Sequence, residues 1–494
     1  MKSVSYAPTL WLPSRTCSVL LASCLAITAS FTTGCGGSGG GGNTSVTLLA
    51  TSTANDQLSQ FSMTLTSLTL TSQSGKTVSL LAAPLSDEFM HLNGNVEPLA
   101  SVSVPQDVYT SASGTVEYAS PACIGLDTAA NEILIDESLG GLEHAPAGFK
   151  VNLPAPITVT GAAMGLALNL QVAQSAPFSG GCSSSLTNTI FVTPTFNLTP
   201  VVIAAQQTNS ANGKALGLEG LIGSIDASGD GMTVTTLYSM NTNNPPTWQV
   251  NWNSSTSFQG VSGSSQLVAG MAVDMDLAMQ ADGSLLATRI AVPDTNAANL
   301  SVANGPSMQV TSANQRIYAL EVEQEGIALA GLDDSFNYAN ATFQISSQFT
   351  NLQSLPFNAA FSAANMVGGQ NIFFSTHAQR VNGFPPLPTP ATTMTLMPQT
   401  IDGMVSAISS AGGFTKYTVT LASYDPFPIF AVQPGQTTLL TNPGSLVVYA
   451  DGNTQTVNSG TPTVGGVFRF YGLVFNDAGT LRMDCAQITN GVAE

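Results

Sequence analysis

Gly270-Met271-Ala272-Val273-Asp274-Met275-Asp276-Leu277-Ala278-Met279 alternates along its whole length. Met271, Val273, Met275, Leu277 and Met279 fall on one side, and Ala272, Asp274, Asp276 and Ala278 on the other. Side chains of a strand point to opposite faces in turn, so this period of two predicts a half-buried β-strand. Ala281-Asp282-Gly283-Ser284 then supplies turn residues before a second apolar run from Leu285.

The same grammar extends outward from Ser45. In Phe61-Ser62-Met63-Thr64-Leu65-Thr66-Ser67-Leu68-Thr69-Leu70 the apolar residues sit on odd positions through Leu65 and on even positions after it. A strand buried on one face cannot change parity without an extra residue, which predicts a bulge near Thr66-Ser67. Ser72-Gln73-Ser74-Gly75-Lys76 turns the chain back into Thr77–Leu81 as a hairpin. With short alternating runs throughout and few amphipathic helical stretches, the predicted fold class is all-β.

The opening stretch recurs. Gly270-Met271-Ala272-Val273 leads to Gly283, and Gly466-Val467-Phe468-Arg469 leads at the same spacing to Gly479, an offset of 196. Gly220-Leu221-Ile222-Gly223-Ser224-Ile225 matches Gly403-Met404-Val405-Ser406-Ala407-Ile408 as the start of each unit. A decayed third copy is expected between them, opening at Ala328–Leu332 with Val367-Gly368-Gly369-Gln370 in its middle. In the last copy Val467, Tyr471, Leu473 and Phe475 are expected on the inward face, with Arg469 breaking it.

Two resemblances follow from these residues. Val102-Ser103-Val104-Pro105-Gln106-Asp107-Val108-Tyr109, with the hairpin before it, resembles an N-terminal domain of bacterial secreted lipoproteins of unknown function. That family carries Val-Pro-x-Gly-x-Tyr; Asp107 stands here for the Gly and tolerates a left-handed turn. The repeats resemble a second extracytoplasmic family of unknown function, whose units open Gly-x-Val-x-x-Val and close with strand, Ala-Asp-Gly turn and strand. That resemblance implies small OB-like barrels of five short strands. The expected architecture is an N-terminal β-sandwich over 45–202, then two or three OB-like β-barrel repeats at 217–292, 326–398 (degenerate) and 401–488.

Residues 1–34 read as a signal peptide, with Lys2 and Arg15 ahead of an apolar run from Val19 to Phe31. Thr32-Thr33-Gly34-Cys35 resembles the lipobox of bacterial lipoproteins, with Thr32 where Leu, Val or Ile is usual. The resemblance implies that Cys35 is the lipidated first residue, tethered through the Gly-rich stretch 35–44; cleavage that leaves Cys35 unmodified is the alternative. Gly36 is not the Asp that resembles an inner-membrane retention signal, so the outer membrane of the cell envelope is the expected location. Among the other cysteines, Cys123 and Cys182 lie beside turn residues in one region and are expected to form a disulfide, adding about 4 kcal/mol. Cys485 is expected to stay unpaired and buried in the last strand.

Charge bounds the partners. Only 8% of the 494 residues are charged, and the net charge is −18, or −20 once Lys2 and Arg15 leave. Phosphate binding needs clustered Lys and Arg, so no nucleic-acid partner is expected. The expected partners are a membrane, through the lipid anchor, and a glycan or an envelope protein.

Candidate chemistry is sparse. Asp226-Ala227-Ser228-Gly229-Asp230-Gly231 matches the first half of a calcium loop, but Leu237 stands at the closing twelfth position, so a hairpin turn is expected. Asp274 and Asp276 share a face and could chelate a cation; their counterparts at offset 196 are Phe470 and Gly472, which favours a solvated face. His91, His144 and His377 have no metal-ligand spacing. No metal, cofactor or catalytic residue is predicted. Trp248 and Trp252, on one strand face, and the loop holding Tyr424 and Phe427 are the candidate ligand-binding groups. Core or turn packing is the alternative for both, since such rings bury large areas. The expected function is a non-catalytic surface scaffold or adhesion module, with a glycan- or peptide-binding protein as the second reading.

Overall fold

The computed structural model describes residues 42–53, 58, 60–89, 92, 96–122, 125–126, 132–133, 147–176, 192–201, 216–237, 246–312, 315–320, 323–324, 333–379, 388–422, 425–431, 440–457 and 460–491. Cys35, Cys123, Cys182, Tyr424, His91 and His144 lie outside these residues. The protein is all-β, and Gly41–Glu494 forms one compact unit.

The N-terminal part is built from β1 (Asn43–Ser52), β2 (Gln60–Ser72), β3 (Thr77–Ser79), β4 (Leu85–Glu88), β5 (Glu97–Pro105) and β6 (Val108–Ala122). It continues with β7 (Gly125–Leu126), β8 (Glu132–Ile133), β9 (Ala147–Asn152), β10 (Ile157–Thr158), β11 (Ala163–Leu170), the short helix α1 (Val172–Ser175) and β12 (Thr195–Val201). Ten of these strands form one continuous sheet in the order β3-β2-β6-β9-β12-β11-β1-β5, with β4 on β2 and β10 on β6. The sheet folds over on itself as a sandwich: Phe61 and Met63 of β2 share one core with Leu48 of β1 and Leu168 of β11. The change of parity in β2 has the expected cause, because the register against β6 slips between Leu65 and Ser67. The β2–β3 hairpin also forms, turning at Gly75 with φ of 83°.

Three barrel-like units follow with related connectivity, and the last of them is a closed barrel. The first has β13 (Leu216–Ile225), β14 (Gly231–Thr236), β15 (Thr247–Asn251), β16 (Ser257–Gln259), β17 (Ala272–Met279) and β18 (Leu285–Ala291). Its first strand, β13, lies antiparallel between β14 and β17, and the ring runs on through β15 and β18, which meet in parallel at Val250↔Leu285.

The middle barrel has β19 (Ser301–Thr311), β20 (Arg316–Leu320), β21 (Glu323–Gln324), β22 (Asp333–Asn337), β23 (Thr342–Ile345), β24 (Asn371–Thr376), β25 (Thr389–Pro390) and β26 (Thr393–Leu396). Here β19 lies between β20 and β24, and the parallel contact is split into β22 with β25 and β23 with β26. The last barrel is closed: β27 (Gln399–Ala411), β28 (Phe414–Thr420), β29 (Ser445–Val457), β31 (Thr480–Asn490) and β30 (Val467–Asp477), with helix α2 (Pro426–Ala431) between β28 and β29.

A glycine marks the same point in all three barrels. Gly270, Gly369 and Gly465 have φ of 87°, 100° and 84°, and each donates its N–H to the first strand, at Ile222, Ser307 and Val405. Only glycine enters that left-handed region without strain. Two residues before each acceptor stands another glycine: Gly220, Gly305 and Gly403. The middle copy therefore opens at Gly305 within β19, ahead of the expected start at 326; the expected opening at Ala328–Leu332 lies outside the described residues.

The constant offset of 196 is also corrected. Gly270 matches Gly465 rather than Gly466. Leu277 pairs with Ala287 and its counterpart Gly472 pairs with Cys485, so the β30–β31 hairpin is three residues longer than β17–β18. The expected inward set of β30 is overturned as well. Phe468, Phe470 and Val474 fill the barrel, whereas Leu473 and Phe475 point out into the core of the middle barrel. Both faces of β30 are buried, so a period of two could not tell inside from outside.

Candidate functional sites

The aromatic candidates are core residues. Trp252 is 8% exposed, sits edge-on to Phe258 at 6.4 Å between ring centres, and belongs with Val250 to the interior of the first barrel. Trp248 is half-buried against the same cluster, with its Nε1 donor enclosed and without a hydrogen bond among the described residues. The two indoles thus form no exposed stacking platform, because the strand face they share is the one that closes the barrel. Phe427 lies in α2, not in an irregular loop, and is fully buried. Its ring sits where a Cβ on Gly369 would be, 2.6 Å from that position, which gives this glycine a second reason to lack a side chain. Cys485 is free and buried in β31, and burial pushes its thiol pKa far up.

Asp226–Gly231 forms the expected hairpin turn: the Asp226 N–H donates to the Gly231 carbonyl at 2.9 Å, and Gly229 has φ of 74°. Asp274 and Asp276, by contrast, do not form a solvated face. Arg289, on the neighbouring strand β18, donates from Nε to Asp276 at 2.8 Å and from Nη2 to both oxygens of Asp274 at 3.0 Å. Asp276 is 5% exposed and Arg289 6%. Burial raises the Asp276 pKa while Arg289 pulls it down; burial lowers the Arg289 pKa, and the two carboxylates more than reverse that. A cation would have to displace a guanidinium already seated on both acids.

This ionic cluster is a junction of barrels. Arg289 Nη1 also donates to Ser347 of the middle barrel at 3.3 Å. Tyr471 of the last barrel donates its hydroxyl to Gln348 at 3.2 Å, and its pKa is raised first by burial and then by Asp276 and Asp274. The strand registers make Asp274 and Asp276 the counterparts of Arg469 and Tyr471. Apolar contacts continue the junction, with Leu237 and Ala272 of the first barrel against Val302, Phe373 and Met397. Arg289 was missed from sequence because a single charge in Leu285–Ala291 reads as an outward surface position.

A second polar cluster holds the connection after β18. His377 contacts Asp294 through Nε2 and the Ala298 carbonyl through Nδ1, both at 2.9 Å. Ser375, 1% exposed, donates to Asp294 at 2.6 Å. Ser, His and Asp are thus together, but the hydroxyl bonds the carboxylate rather than the imidazole. The two ring nitrogens face Asp294 and the Ala298 carbonyl, and neither is bonded to Ser375.

Between the middle and last barrels lies a cavity of about 670 Å³. Its walls are the β19–β20 turn with Gln315, Tyr338 and Asn365 on one side, and the tip of the long β30–β31 hairpin with Asn476 and Ala478 on the other. No protein-family model matches the chain and no curated protein matches its sequence, so the two resemblances rest on the residues quoted for them.

Proposed function

We propose that this is a non-catalytic protein of the bacterial cell envelope, lipid-anchored at Cys35, that serves as a surface scaffold or adhesion module. The observation that carries this reading is the buried junction of Arg289, Asp274 and Asp276 with Ser347, and of Tyr471 with Gln348. Ion pairs of this burial are costly to form and costly to break. Placed where three barrels meet, they fix domain orientation, which is a property of a rigid stalk. The Ser375–Asp294–His377 cluster supports the same reading, since its hydrogen bonds clamp a linker to β24. The acid excess, −18 over the chain, disfavours nucleic acid and leaves the lipid anchor as the means of holding a membrane.

Metabolic labelling with a palmitate analogue tests the anchor: label is expected on the chain and is lost in Cys35→Ala. Label retained in that variant, or absent from the intact chain, contradicts it. Purified protein is expected to leave a panel of chromogenic esters and glycosides untouched. Turnover that disappears in Asp294→Asn would contradict the non-catalytic role.

A further inference from the structure

We propose that the cleft between the middle and last barrels binds a short neutral oligosaccharide. The cavity of about 670 Å³ falls within the range of ligand sites, roughly 300–1,000 Å³. Among the described residues no Asp, Glu, Lys or Arg lines it; its polar groups are carboxamides and hydroxyls. Such groups both donate and accept hydrogen bonds, as sugar hydroxyls do.

Two carboxamides are held with one end fixed. Asn476 is 2% exposed, and its Oδ1 accepts the Gly479 N–H at 2.8 Å. The Asn365 Oδ1 accepts the Ser362 hydroxyl at 2.6 Å. Neither Nδ2 has a hydrogen bond among the described residues, so each lining side chain keeps its donor end for a ligand acceptor.

The backbone points to the same place. Of the three non-glycine residues with positive φ among the described residues, Gln315 (54°) and Ala478 (50°) both line this cleft, on opposite walls. Strained positions of this kind collect at ligand sites. The wall that carries Ala478 exists because the β30–β31 hairpin is three residues longer than its counterpart in the first barrel. The added length carries Leu473 and Phe475 onto the middle barrel and brings Asn476 to the cleft. In OB-type barrels the loop after the first strand and the loop before the last strand are the ones that contact oligosaccharides. Here the first kind comes from the middle barrel and the second from the last.

A neutral glycan fits better than the other classes. The net charge of −18 repels polyanions, and extended peptides are held by open sheet edges or apolar pockets. Tyr338 is 4% exposed and spends its hydroxyl on the Thr311 carbonyl at 2.9 Å, so recognition runs through hydrogen bonds rather than ring stacking.

The site stands independently of the anchor, and its test is separate. The full chain is titrated calorimetrically with maltotriose, cellotriose, mannotriose and triacetylchitotriose, with trigalacturonate and trialanine as controls. Saturable binding of at least one neutral trisaccharide is expected. Ala364→Trp, which fills the cleft from an exposed position, and Asn365→Ala should weaken it about tenfold or more at unchanged melting temperature. No binding by any neutral trisaccharide overturns the site, as does binding that survives Ala364→Trp or that prefers a control. Palmitate labelling of Cys35 together with absent sugar binding would remove the site and leave the scaffold standing.

Discussion

Asp276 and Arg289 are directly opposite each other on β17 and β18, 2.8 Å apart and almost wholly removed from solvent. Removing one partner leaves the other charge stranded at a junction of barrels. Arg289→Ala is expected to cost about 3–5 kcal/mol in denaturant unfolding, with Asp276→Asn also strongly destabilising. Replacing Arg289, Asp274 and Asp276 together by apolar residues of similar volume should recover much of that loss. A loss below about 1 kcal/mol in Arg289→Ala would show the pair to be solvated.

Trp252→Ala removes a ring from the interior of the first barrel, so it should cost about 3–5 kcal/mol. Trisaccharide binding at the distant cleft should be unaffected. Reduced affinity without reduced stability would return Trp252 to the role of a ligand platform.

These outcomes trace what the sequence could carry. Alternation named the strands, and the parity change in Phe61–Leu70 located a bulge that the β2–β6 register contains. Gly270 and Gly403 announced the repeats because a left-handed turn and a close approach each demand glycine there. Gly305 went unread, since the Pro306-Ser307 after it lack the apolar residues that mark the other two openings. Arg289, Leu473 and Phe475 were unreadable for a further reason. Their outward faces meet another barrel, and a strand's own periodicity says nothing about what covers its second face.

Burial, with Asp451 nearby, pushes the Asp484 carboxyl up to about 7 from an ordinary 3.8. A carboxyl with a raised folded pKa favours folding below the unfolded value and loses that contribution as pH rises through the folded one. The protein should therefore weaken between pH 4 and pH 8, by roughly 2–4 kcal/mol from this group. Asp484→Asn should flatten that part of the profile and be the more stable form at pH 8. An unchanged slope in urea midpoints against pH would contradict the assignment.

Gly472 is the point where β30 departs from β17. A Cβ there would lie 2.0 Å from the Asp484 carbonyl, an approach that backbone cannot relieve. Gly472→Ala should cost about 1–3 kcal/mol by overpacking. Calorimetry should place the loss in the melting temperature; a neutral outcome would mean that the β30–β31 register shifts freely.

The Arg289 junction should make the three barrel units unfold as one block. Of the three tryptophans, Trp11 falls in the stretch expected to be removed as a signal peptide and Trp248 and Trp252 lie in the first barrel, while strand signal comes from every domain. Equilibrium urea unfolding followed by tryptophan fluorescence and by far-ultraviolet circular dichroism compares the two in one experiment. The junction at Arg289 predicts coincident transitions in the native chain that separate in Arg289→Ala. Transitions that are already separate in the native chain would contradict it.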